Sequence, residues 1–340
     1  MANTAKKKDN NNKADDLLLN ALMGALSKDE VRTVDGTIFE PMVKEAFQRL
    51  DQAMNGEPVL IIRSVADVAE EEQKTVITLL SQDRPFLIDS LVAAINEAGH
   101  RLSRIVHPSL MMKSESTKDS PDLATYSITE QVGVDVSNVS LIYAETDNLL
   151  LSNQVKELQA RLIQVVEDVD LTTSDWKGML AKLRDVRDYL HHSPTMHALY
   201  PPKEYEDFLQ YLHDDSFTFL GYRQYRFEKQ KNGLRAVKDK ESGLGLLSDS
   251  RNGEFLDEDG ALFPNDIEKY VQETDIVTIS KIQKNATVHR CVPIDAIIIK
   301  RFDDSGQIIG EDVFLGLFTS ITYSRSVFDI PLLRKKVQSV

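Results

Sequence analysis

Gly243-Leu244-Gly245 is the one glycine pattern in the chain suited to cradling a phosphate. A dinucleotide site needs a glycine-rich turn between a strand and a helix, where backbone amides and the helix N-terminus accept the pyrophosphate. Here LLSDSR follows, with no third glycine, no apolar helix and no acidic ribose partner in frame, so the motif reads as a turn. His191-His192 and His197 approach metal-ligand spacing, but no carboxylate follows at i+3 or i+4 and prolines surround them, so no metal site is assigned. Cys291 lies in VHRCVPID, which reads as strand and predicts a buried structural thiol. Asp214-Asp215 and Asp303-Asp304 read as helix-end and turn residues. His289, Asp295 and Glu311 could join a polar cluster around Arg290, a stabilising network rather than a catalytic one. No catalytic constellation assembles. The remaining candidate is Asp83-Arg84-Pro85, at the first strand-to-helix junction. A helix N-terminus favours an anion there, Arg84 can add a charge-assisted bond, and Asp89 lies one turn into the helix.

The elements that position this junction follow from spacing. KTVITLLS reads as a buried strand, and FLIDSLVAAINEAG as a helix with Leu87, Leu91, Ala94, Ile95 and Ala98 on one face and a terminating Gly99. RLSRIVHPSLMMKS follows as a long strand or bent strand pair, then DLATYSITEQ and SLIYAETDN. An amphipathic helix through Val155, Leu158, Leu162 and Val166 and a short strand around Asp168–Thr172 complete a βαββαβ, ferredoxin-like order, the skeleton also of ACT domains. Before it, helices are expected over Asp15–Leu26 and from Pro41 to about Met54, after a low-complexity tail of residues 1–13.

Thr173 or Ser174 is expected to cap a further helix, with Trp176 packed near its first turn, and HSPTMHALYPP to form a linker. Beyond it come a short helix, KEYEDFLQYLHD, and strands at Phe217–Phe227, IVTISKIQ, VPIDAIIIKRF and EDVFLGLFTSITYS, with DDSG as a hairpin turn. The fold class is α+β: a ferredoxin-like domain with N-terminal helices, then a domain on an antiparallel sheet.

Composition limits the partners. A net charge of -14 and a pI near 5.0 oppose binding to phosphate backbones or anionic lipid, so nucleic acid and membrane are not expected partners. No run approaches the roughly 20 apolar residues that span a bilayer. One cysteine excludes an intramolecular disulfide and suits a reducing compartment. A soluble, cytoplasmic protein is the expectation.

Several segments together carry a resemblance: DRPFLIDS with HPSL after the next strand, DDSFTFLGYRQY, GLGLL, KNATVHR, and IDAIIIKRFDDSGQIIGEDVFLGLFTSITYSRSVFDIPLLRKKV. Over roughly residues 38–340 the chain resembles the N-terminal region of the large, single-chain, NAD-specific glutamate dehydrogenases of bacteria. The resemblance implies a disordered tail and helix over 1–37, an ACT-like domain with flanking helices over 38–190, a linker over 191–202, a PAS-like domain over 203–330, and the start of a following segment at 331–340. It places the Rossmann-bearing catalytic domain downstream, so the chain is expected to be truncated and inactive alone. NAD would serve only the parent reaction, in which glutamate yields 2-oxoglutarate and ammonia. The implied role is regulatory and oligomeric, with self-association or a separate dehydrogenase polypeptide as partner. The alternative is a free-standing amino-acid-sensing ACT/PAS module. By the same resemblance, Asp83, Arg84 and Asp89 mark where an amino-acid effector would bind. ACT ligand sites usually carry glycine after the proline; Phe86 stands there instead, which weighs toward packing.

Overall fold

The computed structural model describes residues 35–67, 72–117, 120–129, 136–193, 202–230, 233–251 and 275–338, with residues 19, 20, 23, 24, 133 and 269 besides. They pack as two units, residues 1–167 and 168–340. This division falls inside a helix rather than in the expected 191–202 linker. Residues 194–201 of that linker, His197 among them, and the 1–13 tail lie outside the described residues.

In the first unit, Asp35 caps helix α1 (Gly36–Phe47) by accepting bonds from the Thr37 amide at 2.9 Å and the Thr37 hydroxyl at 2.6 Å. The hydroxyl bond holds the Asp35 carboxyl below its ordinary value. This cap starts the helix ahead of Pro41, where the apolar pattern alone would begin it, and a short α2 (Leu50–Met54) follows. The sheet contains β1 (Val59–Asp67), β2 (Glu72–Gln82), β3 (Leu102–Val106), β4 (Ser109–Thr117), β5 (Ser120–Ile128) and β6 (Val136–Thr146). Its order is β1-β2-β6-β4-β5 with β3 also against β6, and every pairing is antiparallel. Helix α3 (Leu87–Glu97) links β2 to β3. Phe39, Met42, Val43, Ala46 and Leu50 recur at helical spacing and bury against Val76 and Leu80 of β2 and Leu141 and Tyr143 of β6. From Val139 to Thr146 strand β6 is buried without alternation, so both of its faces are covered.

The βαββαβ expectation is corrected at both ends. Residues 168–172 are not a strand, and no helix begins at Thr173 or Ser174: one helix, α4, runs from Ser152 to His192. Leu158, Leu162, Val165, Val169, Thr172, Met179, Leu183, Val186 and Leu190 are buried along it at heptad spacing. That stripe, broken at position 176, outweighs the local β-branched character of Val169–Thr173. Trp176 falls on the same stripe but is 47% exposed, against the packed position expected for it. The sheet edge beside β2, which a closing strand would occupy, is taken by β1 through a hairpin-type pairing from Val59↔Leu80 to Asp67↔Glu72.

The second unit adds α5 (Pro202–Tyr211), a π-turn (Leu212–Ser216), β7 (Phe217–Gln230), β8 (Gly233–Lys238), β9 (Leu244–Gly245), β10 (Val277–Asn285), β11 (Pro293–Phe302), β12 (Ile308–Phe318) and the short helices α6 (Ser320–Ser324) and α7 (Leu333–Gln338). The antiparallel order is β10-β11-β12-β7-β8, with β9 also on β7. One face, carrying Tyr222, Ile297, Ile299 and Phe314, packs on Met179 and Leu183 of α4 and Phe208 of α5. The β11–β12 hairpin turns where expected, because Asp303 Oδ1 accepts the amides of Ser305 and Gln307, each at 2.9 Å.

Candidate functional site

At the β2–α3 junction the strand ladder continues one residue past β2: the Asp83 N–H donates to Asn138 O at 2.9 Å. That bond fixes the carboxylate at the end of the sheet. Its Oδ2 accepts from the Ser109 hydroxyl, the first residue of β4, at 2.8 Å. Arg84 Nη2 donates to Gln82 Oε1 at 2.8 Å, so the guanidinium is steered by the strand it has just left. In the break between β3 and β4, His107 bonds the Ser140 hydroxyl. Burial holds the His107 pKa below its ordinary value, against the upward pull of Asp83.

Phe86 determines how the helix begins. Its φ is 68°, in the left-handed region, and it precedes α3 without a side-chain cap. A bulky residue pays about 1–2 kcal/mol for that conformation. Its carbonyl accepts both the Ser90 amide at 2.9 Å and the Ser90 hydroxyl at 2.6 Å, which locks the turn. Glycine's usual backbone shape is thus retained at this position without glycine. Asp89 is exposed in the first turn of α3, where a carboxylate complements the helix dipole.

The junction therefore groups Asp83 and Arg84 with Ser109, His107 and Ser140 and sets a helix N-terminus beside them. A cationic guanidinium, a carboxylate and first-turn amides are complementary to a small zwitterion. Ser109, His107 and Ser140 join the candidate junction without having been expected there. The HPSL segment was the sequence signal for His107 and Ser109, since a His-Pro break must realign the strand beside the junction, whereas Ser140 is brought in by its register opposite Ser109.

Elsewhere the sequence candidates separate. Gly245 has φ 57°, and a Cβ there would run into the Leu220 carbonyl; a Cβ on Gly243 would strike the Arg223 guanidinium. These glycines serve close packing of β9 on β7. The proposed cluster around Arg290 does not form: Arg290 Nη2 donates to Phe318 O at 2.8 Å, while Asp295 pairs with Lys281 at 2.7 Å. Strand parity explains it, because Asp295 shares a face with Ile297 and Ile299, whereas Glu311 pairs in register with Lys300 on the other. Cys291 is in the β10–β11 connection, not a strand, and is half-buried, with Asn285 Nδ2 at 3.5 Å from its sulfur. Among the described residues no three His, Cys, Asp or Glu side chains group as metal ligands, and no helix is long and apolar enough to cross a membrane.

Comparison with known proteins adds the following. Residues 18–162 match the family model described as glutamate dehydrogenase, ACT1 domain, a span close to the first packed unit. An NAD-specific glutamate dehydrogenase of Pseudomonas aeruginosa is 30% identical over 266 residues, covering 78% of this chain and 16% of the relative. One from Halomonas elongata is 31% identical over 271 residues, with the same 78% and 16%. The chain thus spans about 16% of the length of the curated relatives it matches. A solved RNA-binding light-oxygen-voltage receptor is similar at 10% identity and a TM-score of 0.18, too low to bear on fold.

Proposed function

The chain belongs with the NAD-specific glutamate dehydrogenases, matching their N-terminal region and carrying their ACT1 domain, and from that premise we propose that it is a regulatory and assembly portion of such an enzyme, with the β2–α3 junction as its amino-acid effector site. The observation that carries the reading is Phe86: at φ 68° it keeps, at an energetic cost, the backbone shape that brings a helix N-terminus against Asp83 and Arg84. An effector's carboxylate would meet Arg84 and the first-turn amides, and its ammonium would meet Asp83. The antiparallel sheet of the second unit, whose first and last long strands β7 and β12 are neighbours, supports the PAS-like part of the reading.

Assembly is supported by apolar surface. Ile321, Tyr323, Val327, Phe328, Leu333 and Val337 are all exposed within one short stretch. A groove of about 630 Å³, lined by Phe208, Val277, Ile279, Ile330 and Leu333, adjoins it. NAD does not fit the glycine motif, because the Gly245 N–H already donates to Asp175 Oδ2 at 2.7 Å and β9 leads into a 3-10 turn at Asp249–Arg251 rather than a helix. In this reading the oxidation of glutamate to 2-oxoglutarate and ammonia belongs to parts of the parent enzyme outside this chain.

The test is a thermal-shift titration of the 340-residue chain with amino acids, repeated on Arg84→Ala and Ser109→Ala. A ligand at a hundred times its Kd stabilises by about 2.7 kcal/mol. The reading expects such a shift in the wild type and its loss in Arg84→Ala. An undiminished shift in that variant, or none in the wild type, would count against the site.

A further inference from the structure

Strand β10 stands at one end of the second unit's sheet, and among the described residues no strand lies beyond it. Ile276 O accepts the Lys300 amide at 3.0 Å, which fixes the alternation of the ladder. The N–H and C=O groups of positions 277, 279 and 281 therefore turn away from β11, toward the edge. Sheet edges are commonly guarded by lysine. Lys281 and Lys284 guard the second half of β10, whereas Val277, Thr278, Ile279 and Ser280 are uncharged and Ile279 is 47% exposed. The apolar groove of the assembly surface lies along this unguarded half, with Val277, Thr278 and Ile279 in its wall.

Two copies of this segment are complementary to each other. Placed antiparallel about a two-fold axis at Thr278, Val277 of each copy stands opposite Ile279 of the other, and Asp275 opposite Lys281. All four are odd positions, so the register that matches the charges also closes backbone bonds, about four of them between positions 277 and 279 alone. An axis at Ile279 would close bonds too, but it sets Val277 against Lys281. Both charged groups can take the new pair without giving up their present contacts. Asp275 uses Oδ1 for the Tyr205 hydroxyl at 3.3 Å and the Ile276 amide at 3.2 Å, which leaves its second oxygen. Lys281 Nζ donates to Asp295 at 2.7 Å and to Pro293 O at 3.3 Å and has a third donor. We propose that a second copy of this chain docks here by adding its β10 to the edge, which makes one continuous sheet across a two-fold interface. The proposal rests on the assembly reading above, names its partner and register, and does not involve the β2–α3 junction.

The experiment uses the 340-residue chain carrying Cys291→Ser, which leaves no native thiol. Sedimentation velocity from about 1 to 200 µM should show a monomer–dimer equilibrium. Ile279→Lys should weaken it at least tenfold while circular dichroism still reports a folded chain. Register is read by cross-linking. Residues facing each other at the two-fold have Cα atoms about 4.5 Å apart, within disulfide reach. Mild oxidation should therefore convert Thr278→Cys to a covalent dimer, whereas Ser280→Cys, whose two copies lie about 13 Å apart in this register, should not cross-link. If Ile279→Lys fails to fold, this cysteine pair decides alone. A dimer that survives a folded Ile279→Lys, or that cross-links through Ser280→Cys as well as Thr278→Cys or through neither, would overturn the β10 pairing and leave assembly by another surface standing. A chain that stays monomeric at the highest concentration would overturn both the pairing and the assembly part of the reading.

Discussion

Glu311 and Asp312 are consecutive residues of β12, both fully buried, and their carboxylates meet opposite surroundings. Asp312 points to the face packed on α4 and α5, where it accepts from the Tyr222 hydroxyl at 2.7 Å and from Arg301 Nε and Nη2 at 2.6 and 3.1 Å. Glu311 points the other way, and neither of its oxygens has a partner. The strand's two-residue period thus separates a satisfied charge from an unsatisfied one.

The two should respond to substitution with opposite signs. Asp312→Ala strands the part-buried Arg301 and the buried Tyr222 hydroxyl and should cost about 3 kcal/mol, since Arg301 at 25% exposure recovers some hydration. Glu311→Leu combined with Lys300→Met replaces a buried acid and the base opposite it by apolar side chains and should stabilise by about 1–4 kcal/mol. Urea unfolding followed by the fluorescence of Trp176, the only tryptophan, measures both. Equal destabilisation by the two variants would contradict the assignment of faces.

The same acid makes stability fall with rising pH. Burial raises the Glu311 carboxyl from 4.5 in the unfolded chain to about 8 in the folded one, with Lys300 opposing and Asp312 adding to the rise. Between these values the folded state holds the proton that the unfolded state has lost, so protons favour folding. The contribution is whole below pH about 4.5 and gone above about 8. Melting temperatures from pH 5 to 8.5 should fall more steeply in the wild type than in Glu311→Gln. Parallel curves would show that Glu311 titrates normally.

At Phe86 the usual ranking of alanine over glycine should invert. Both Phe86→Gly and Phe86→Ala discard the same half-buried ring, so their difference isolates the backbone at φ 68°. Glycine accepts that conformation without penalty, and the glycine variant should be the more stable by about 1 kcal/mol. Chemical denaturation of the pair decides it, and an alanine variant of equal or greater stability would remove the strain argument.

Much of this arrangement was legible from spacing. Leu87, Leu91, Ala94 and Ile95 with Gly99 delimit α3 because a helix against a sheet must repeat its apolar face. Topology was not legible. The strand Val59–Asp67 takes the edge beside β2 that a closing strand at 168–172 would have occupied, and nothing local distinguishes which segment reaches an edge. Val169–Thr173 alternate like a strand, but burial of Val165, Val169 and Thr172 on one stripe is a tertiary fact. Site residues failed similarly. Asp83 and Arg84 are marked by their junction, whereas Ser140 joins them only through the β4–β6 register, 57 residues beyond Asp83. Adjacent acids at 311 and 312 must face opposite ways in a strand, yet only packing reveals that both faces are covered.

Glu145 tests whether the first unit depends on a satisfied buried charge. It is 5% exposed and accepts from the Tyr143 hydroxyl at 2.7 Å, Lys74 Nζ at 3.4 Å and Arg104 Nη1 at 3.3 Å. Those donors come from β6, β2 and β3, so this one carboxylate connects three strands where β3 meets β6. Burial and the adjacent carboxylate raise the Tyr143 hydroxyl above its ordinary pKa, which keeps it a donor. Removing the carboxylate leaves two cations close together with their counter-charge gone. Lys74 and Arg104 remain 15% and 19% exposed, so water recovers part of the loss and Glu145→Gln should cost about 2–3 kcal/mol. Tyr143→Phe deletes only the hydroxyl bond and should cost about 1 kcal/mol. In the double variant the two costs should fall short of their sum by roughly the worth of the shared bond. Strict additivity in urea unfolding would mean that Tyr143 and Glu145 act independently, and that the three strands are held by packing alone.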